Sequence, residues 1–288
     1  MIEELGQKGV QSFNKPLVTV ITAVFNGDKY LEDAIQSVIN QEYDNVEYII
    51  IDGGSTDATV DIIKKYEGSI AFWISEKDDG LYNALNKGFK HANGEILCWL
   101  NCDDIFYPNA IKDVVDVFNK YPNVEWLTGR KVIRNEENQY LRIGCFQSYN
   151  QAHIRKGYYR GGVLWHIMQE GTFWRRSLFG KVGFVLNEEL SLASDFELWT
   201  KMAMHAPLYS LNSILASFRL HEGQLSEDND KYLQECETVK KLGYRKYIIS
   251  KLKYFFYIHS LISKKHKIQF GKNGPRKVTK LFELEGNL

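Results

Sequence analysis

Leu97-Cys98-Trp99-Leu100-Asn101-Cys102-Asp103-Asp104 is an apolar run that stops abruptly in polar residues, two of them adjacent carboxylates. The run reads as a buried strand. In an open α/β sheet, ligands bind just outside the carboxyl ends of the strands. A carboxylate delivered there suits a hard divalent cation, which takes oxygen ligands and shares them with substrate phosphates. A solvated Asp-Asp loop would explain the segment if it stood alone. It has a counterpart, however: Val46-Glu47-Tyr48-Ile49-Ile50-Ile51 ends the same way, in Asp52-Gly53-Gly54-Ser55-Thr56-Asp57. Two strands that bring carboxylates to one rim predict a site for a metal-bound phosphorylated ligand.

Working outward, residues 17–128 alternate strand and helix. A β-rich run over 17–24 is bounded by Pro16 and Asn26-Gly27, and Tyr30, Leu31, Ala34, Ile35, Val38 and Ile39 then fall on one helical face. After the strand ending at Ile51, Ser55 or Thr56 is placed to cap a helix holding Val60, Ile62 and Ile63. A short strand at 70–74, a helix at 81–91, the strand before Asn101, a helix opened by Pro108 and a strand at 124–128 complete the pattern. Strands separated by helices predict an α/β fold with a mostly parallel central sheet flanked by helices, since parallel neighbours need crossovers. Residues 130–168 have weak periodicity and read either as an excursion packed on the sheet edge or as an acceptor-facing segment. Beyond them, 173–179 and 195–205 look helical, 208–218 returns to strand character and 227–241 is a polar helix.

The chain has 288 residues, 44% apolar and 25% charged, ordinary for a globular protein with a sizeable core. Its four cysteines are too scattered for a disulfide framework or a zinc-site spacing and read as reduced thiols. Residues 1–15 lack a basic segment followed by an apolar one, so a secretory signal is not expected. No run approaches the roughly 18 apolar residues of a membrane span. Net charge is zero, but residues 240–280 hold 13 Lys plus Arg and no acid, leaving 23 basic against 36 acidic residues elsewhere, a net of −13.

Several ordered motifs resemble the family-2 glycosyltransferases, nucleotide-sugar enzymes of the A-type fold with a Rossmann-like nucleotide-binding half. Val20-Ile21-Thr22-Ala23-Val24-Phe25-Asn26 is similar to the first strand, whose end cups the base. Asp52-Gly53-Gly54-Ser55-Thr56-Asp57 resembles the nucleoside-binding turn. Asp78-Asp79-Gly80-Leu81-Tyr82-Asn83-Ala84-Leu85-Asn86-Lys87-Gly88 resembles a helix-opening motif of a subgroup associated with bacterial surface polysaccharides. Asn101-Cys102-Asp103-Asp104 stands where the family has Asp-x-Asp. Gln169-Glu170-Gly171-Thr172-Phe173-Trp174-Arg175-Arg176, Ser194-Asp195-Phe196-Glu197-Leu198-Trp199 and Arg219-Leu220-His221-Glu222-Gly223-Gln224-Leu225-Ser226 follow in the family's order. Each piece alone is weak, and together they are specific. The departure is Asn101, a poorer metal ligand than Asp but still an acceptor for a ribose hydroxyl.

The resemblance implies an inverting transferase that moves a sugar from a nucleotide diphosphate donor, UDP-linked, to a glycan or polyprenyl-linked acceptor. It implies Mg²⁺ or Mn²⁺ held by Asp103 and His221, with Asp104 one layer behind, and Asp195 as general base. Ala23, Phe25, Asp52, Asp79 and Asn101 would contact the donor, and Glu170, Trp174 and Arg175 the acceptor side. From the residues alone other readings stand: Asp195 as a helix N-terminal carboxylate, Phe25 and Trp174 as core, His221 as a hydrogen-bonded strand-end side chain. A single base gives one displacement and inversion at the anomeric carbon, by the stereochemical logic of glycosidases. Two rivals remain, a catalytically inactive sugar-nucleotide or glycan-binding protein and a nucleotidyltransferase. The latter would show a Gly-rich loop with a following Lys after the first strand, where this chain has Asn26-Gly27-Asp28-Lys29.

The expected organisation is an N-terminal extension (1–15), a catalytic domain (16–226, with a nucleotide-sugar half at 16–128 and an acceptor half at 129–226) and a helical basic tail (227–288). Residues 244–270 mix cations with Tyr, Phe, Ile and Leu, as an interfacial helix on anionic lipid does. Packing on the acidic body is the alternative, and nucleic acid is not an expected partner. The location expected is cytoplasmic, peripheral on the inner face of the membrane.

Overall fold

The computed structural model describes residues 15–161, 164–242, 267–271 and 274–277. Strand β1 (Val18–Val24) is buried throughout and alternates with period 2: Val18, Val20 and Val24 face one layer, Ile21 and Ala23 the other. It lies between β2 (Val46–Asp52) and β4 (Ile96–Trp99), parallel to both, and β2 carries β3 (Phe72–Ser75). Helices α1 (Leu31–Ile39), α2 (Thr59–Lys65) and α4 (Ala110–Lys120) bury Leu31, Ile35, Ile63, Ile111 and Phe118 against the Val18 face. Helices α3 (Leu81–His91), α6 (Arg176–Lys181) and α7 (Ser194–His205) bury Leu85, Phe89, Phe179 and Trp199 against the Ile21 face. Both faces of the sheet are thus covered, as continuous apolar strands require.

Beyond β4 the strand directions mix. β9 (Thr172–Arg175) inserts antiparallel between β4 and β6 (Trp126–Thr128), and β10 (Tyr209–Leu211) runs parallel to β6. β12 (Lys267–Gly271) lies parallel to β10, and β13 (Gly274–Lys277) closes the edge antiparallel to β12. Among the described residues the sheet has nine strands, in the order β13-β12-β10-β6-β9-β4-β1-β2-β3. A smaller sheet joins β5 (Ile105–Phe106), β11 (Ala216–Arg219), β7 (Val132–Arg134) and β8 (Tyr140–Ile143) in that order, which brings the end of β11 beside the loop after β4. Helices α5 (Gln151–Arg155) and α8 (Asn229–Val239) pack near α7.

Four expectations need correction. Residues 173–179 are not one helix: Phe173 and Trp174 point into opposite layers from β9, and the helix begins at Arg176. The strand-like 208–218 divides into β10 and β11, which belong to different sheets. Neither Ser55 nor Thr56 caps α2; Asp57 Oδ1 accepts from the Thr59 amide (3.0 Å), while the Ser55 side chain serves Asp52 and Asn26. The basic tail is helical at α8, but residues 267–271 and 274–277 are strands that extend the main sheet. The interfacial helix expected over 244–270 lies outside the described residues up to 266, as do residues 1–14 of the N-terminal extension. No helix among the described residues is long and apolar enough to cross a membrane.

Candidate active site

The first wall of the site is the rim where β1 and β2 end. Register pairs Val24 with Asp52, so residues 25–28 and 53–57 leave the sheet side by side. Side chains fasten the two loops together. Asn26 N donates to Ser55 Oγ (2.7 Å), Thr56 N to Asn26 Oδ1 (2.9 Å), Gly27 N to Thr59 Oγ1 (2.9 Å) and Asp28 N to Asp57 Oδ2 (3.2 Å). Phe25 stands 62% exposed at the tip, the kind of uncovered aromatic face that a planar ligand can stack on. Ala23 is buried just beneath the rim. Asp79 is exposed at the turn that opens α3.

Asp52 departs from its expected part. Its carboxylate is fully buried and used within the chain: Gly54 N (3.2 Å), Ser55 N (3.0 Å) and Ser75 Oγ (2.6 Å) donate to Oδ2, and Ser55 Oγ donates to Oδ1. It builds the turn and offers no exposed oxygen to a nucleoside. Gly53 lets the Asp78 carboxylate approach closely, since a Cβ there would lie 2.7 Å from Asp78 Oδ2. Gly54 has φ +83°, the left-handed region that glycine enters without strain.

The second wall joins the end of β4 to the segment after β11. Asp103 Oδ2 lies 3.0 Å from His221 Nε2, and His221 Nδ1 lies 2.9 Å from Glu222 O. Asp104 is fully buried, and its Oδ1 accepts from the Arg219 amide (2.8 Å). Burial, with Asp103 and Glu170 nearby, pushes the Asp104 carboxyl well above the usual range. The Arg219 guanidinium donates to Asp103 O (2.8 Å) and Asp33 Oδ2 (2.8 Å) and lies 4.4 Å from the centre of the Tyr30 ring. Arg134 reaches the same Asp103 carbonyl at 3.4 Å, and burial beside Arg219 lowers its pKa to about 10. Tyr30, in turn, packs its ring on His221, centroids 4.9 Å apart. Asp104 and Arg219 therefore tie the Asp103 loop to the His221 loop.

The third wall is the start of α7 with the turn before β9. Asp195 Oδ1 accepts from the Phe196 amide at 2.6 Å. Burial raises the Asp195 carboxyl to about 7; helix amides pull the other way and Glu235 adds to the rise. Glu235, outside the recognised motifs, and Tyr82, inside one, hold this helix end in place. Glu235, on α8, accepts from the amides of Ser191 (3.1 Å), Leu192 (2.8 Å) and Ala193 (2.9 Å), and Tyr82 Oη donates to Leu192 O (2.9 Å). Glu170 is 4% exposed, and burial raises its carboxyl to about 7, with Asp103 and Asp195 reinforcing the rise against Lys131. Gln169 Nε2 donates to Trp99 O (2.7 Å), which fastens this turn to the end of β4.

Trp174 is not an acceptor-side residue. It is 0% exposed and sits among Trp99 (ring centroids 5.4 Å apart), Trp199 (5.7 Å) and Phe179 (6.0 Å), so no ring face is available to a sugar. Arg175 likewise donates to Val124 O (2.9 Å) and Phe118 O (2.8 Å) beneath the sheet. Tyr30, Lys131, Arg134 and Glu235 have no signal in the sequence beyond their residue type. Arg219 and Gln169 lie inside quoted motifs but show their partners only in three dimensions.

Asp103 and His221 suit a divalent cation. A neutral imidazole carries one N–H and cannot donate to both Glu222 O and Asp103. A cation taken by Nε2 and Asp103 leaves Nδ1–H for Glu222 O, the carbonyl anchoring typical of metal-bound imidazoles. No group of three or more His, Cys, Asp or Glu placed to hold a metal occurs among the described residues. A two-residue set matches an ion that completes its shell with phosphate oxygens and water.

The sequence and the fold have counterparts in known proteins. The glycosyl transferase family 2 profile matches residues 19–183. An uncharacterized glycosyltransferase of Rickettsia typhi is 30% identical over 233 residues, covering 80% of this chain and 72% of the relative. One from Mycobacterium tuberculosis is 38% identical over 205 residues, covering 70% of this chain and 75% of the relative. The fold is similar to Staphylococcus aureus TarS 1–349, solved in complex with UDP-GlcNAc (TM-score 0.61, 17% identity, 83% of this chain and 71% of that one). It is also similar to the mannosyltransferase PcManGT of Pyrobaculum calidifontis, solved with GDP-Man and Mn²⁺ (TM-score 0.56, 16% identity, 87% of this chain and 77% of that one). The profile spans the rims of β1, β2 and β4 and the turn before β9, and the relatives extend over most of their own length, so this chain belongs to glycosyl transferase family 2 and is a glycosyltransferase.

Proposed function

We propose that this glycosyltransferase moves a sugar from a UDP-linked donor to a glycan or lipid-linked acceptor in surface polysaccharide synthesis, with inversion at the anomeric carbon. The observation that carries the reading is the 3.0 Å approach of His221 Nε2 to Asp103 Oδ2, with the half-buried Asp195 on a separate wall. Phe25 and Asp79 take the nucleoside against the turn that Asp52 builds, and Asn101 contacts the donor beside Asp103. Asp103 and His221 would hold Mg²⁺ or Mn²⁺, which when bound neutralises charge on the leaving diphosphate. Asp195 accepts the proton of the attacking hydroxyl, and its pKa near neutrality suits a base working at ordinary pH. Glu170, with Lys131 acting on it, lies within electrostatic reach of Asp195. The complexes of TarS with UDP-GlcNAc and of PcManGT with GDP-Man and Mn²⁺ support a nucleotide-sugar donor and a metal. A cytoplasmic place beside the membrane follows if the basic segment of the tail docks on anionic lipid.

The test is a nucleotide-sugar panel with Mn²⁺, read first as thermal stabilisation and then as slow hydrolysis. A ligand at a hundred times its Kd stabilises the native state by about 2.7 kcal/mol. A UDP-sugar should stabilise and be hydrolysed. Stabilisation without turnover would favour an inactive binding protein, and no response to any donor would refute the proposal.

A further inference from the structure

Three acceptor oxygens around the end of β4 have nothing to accept from. Asn101 Oδ1, Gln169 Oε1 and Glu170 Oε1 are buried without a hydrogen-bond partner among the described residues. Of the ten buried polar side-chain atoms left unpaired among the described residues, these three are acceptor oxygens on neighbouring segments, which points to a common explanation. The Gln169 amide is firmly oriented, the Asn101 amide by a longer contact. Asn101 Nδ2 donates to Asp104 Oδ2 (3.4 Å) and Gln169 Nε2 to Trp99 O (2.7 Å), which leaves their oxygens over. With Glu170 ionised the unmet capacity is that of acceptors, and what satisfies it brings donors. A pyranose ring does so, through its hydroxyls or an N-acetyl N–H.

Position narrows the choice. Glu170 lies within electrostatic reach of both Asp103 and Asp195. In an in-line displacement the diphosphate lies toward Asp103 and the attacking hydroxyl toward Asp195, and the ring being transferred lies between them. We propose that Glu170, backed by Gln169 and Asn101, reads the transferred sugar of the donor by accepting a hydrogen bond from one of its hydroxyl or N–H groups. This rests on the nucleotide-sugar reading above and moves Glu170 from the acceptor to the donor side. Hydrogen-bonding sites of this kind discriminate strongly, because an analogue lacking the donor leaves the buried acceptor unpaired.

The experiment is calorimetry on the full chain and on Glu170→Gln and Glu170→Ala, each with Mn²⁺. The titrants are UDP, UDP-glucose, UDP-galactose and the two corresponding UDP-N-acetylhexosamines. For the nucleotide sugar that the wild type prefers, Glu170→Ala should weaken binding by about ten- to a hundredfold, the range of one hydrogen bond to a charged group. Glu170→Gln should weaken it less, and UDP alone should bind both variants as it binds the wild type. Equal nucleotide-sugar affinity in all three proteins overturns the proposal. So does a parallel loss for UDP and the nucleotide sugar, which would assign Glu170 to the diphosphate and metal. A wild type that binds neither UDP nor any of the sugars refutes the UDP-linked donor reading instead, and the two failures are distinct. Glu170→Gln preserves shape, so its sugar-against-UDP ratio decides the matter even if Glu170→Ala does not fold.

Discussion

Asp195 combines a helix start, burial and a carboxyl raised to about 7. Asp195→Asn keeps the shape and the hydrogen bond from Phe196 but removes the base. Transfer should fall by the 10²–10⁴-fold that general-base catalysis contributes, roughly, while calorimetric donor affinity stays near wild type. A variant keeping more than about a tenth of the wild-type rate would contradict the assignment. The pH profile follows from the direction of the shift. A base must be deprotonated, so kcat/KM should rise with pH through about 7 and be lost below it. Stability runs the opposite way. The native Asp195 binds its proton more tightly than the unfolded chain, so its contribution favours the fold below the unfolded pKa and declines as pH rises through about 7. Glu170, Glu235, Tyr82 and Tyr232 share this electrostatic neighbourhood, so the Asn variant should remove part of the decline and not all of it. For the other wall, Asp103→Ala should abolish Mn²⁺-dependent UDP binding in calorimetry; equal affinity would remove Asp103 from the metal. Asp104→Ala acts differently, since it orphans the buried amide of Arg219. A loss of about 1–3 kcal/mol in chemical denaturation is expected, larger than that of Asp103→Ala.

At the scale of elements, close packing positions the site. Trp99 and Trp199 stack at 5.9 Å with rings 8° apart, and Trp126 stacks with Trp199 at 5.7 Å. This stack fixes α7 on the sheet and with it Asp195. Each such pair adds about 0.5–1.5 kcal/mol beyond area burial. On the same layer, α3 approaches β1 so closely that a Cβ on Gly88 would lie 2.6 Å from Ile21 Cγ2. Helix propensity alone would make Gly88→Ala stabilising, by up to about 1 kcal/mol. Overpacking should win, with a net loss of about 1–3 kcal/mol in denaturant midpoint analysis. A stabilised Gly88→Ala protein would show that α3 can withdraw from the sheet without cost.

For the whole molecule, the tail matters to the sheet. β12 pairs Lys267 with Ser210 and Ile268 with Leu211, so truncation after residue 241 uncovers the edge of β10. An uncovered edge strand is a template for association. The truncated chain should unfold at lower temperature and aggregate more readily by light scattering. It should also lose binding to anionic vesicles, since the removed cations contribute about 1 kcal/mol each near such a surface. Added salt should weaken vesicle binding by the full chain. A full chain that ignores vesicles at low salt would assign the tail to sheet completion alone.

The sequence by itself determined the strand–helix alternation over 17–128, because periods of 2 and 3.6 are local properties of the chain. Helix 81–91 coincides with α3 for that reason. It also determined which strands end in carboxylates and that the motifs follow one family's order. It could not determine that Trp174 is interior, that β9 inserts antiparallel beside β4, or that residues 267–271 pair with β10, since strand pairing is chosen between distant segments. The same holds for the site. Asp103 meets His221 across 118 positions and Asp104 meets Arg219 across 115. Asp52 reads in sequence as a carboxylate at a strand end, but only the packing of Gly54, Ser55 and Ser75 around it shows that its oxygens are already used. Which carboxylates face a ligand and which brace the loops is set by burial and hydrogen-bond partners, and these exist only once the chain has folded.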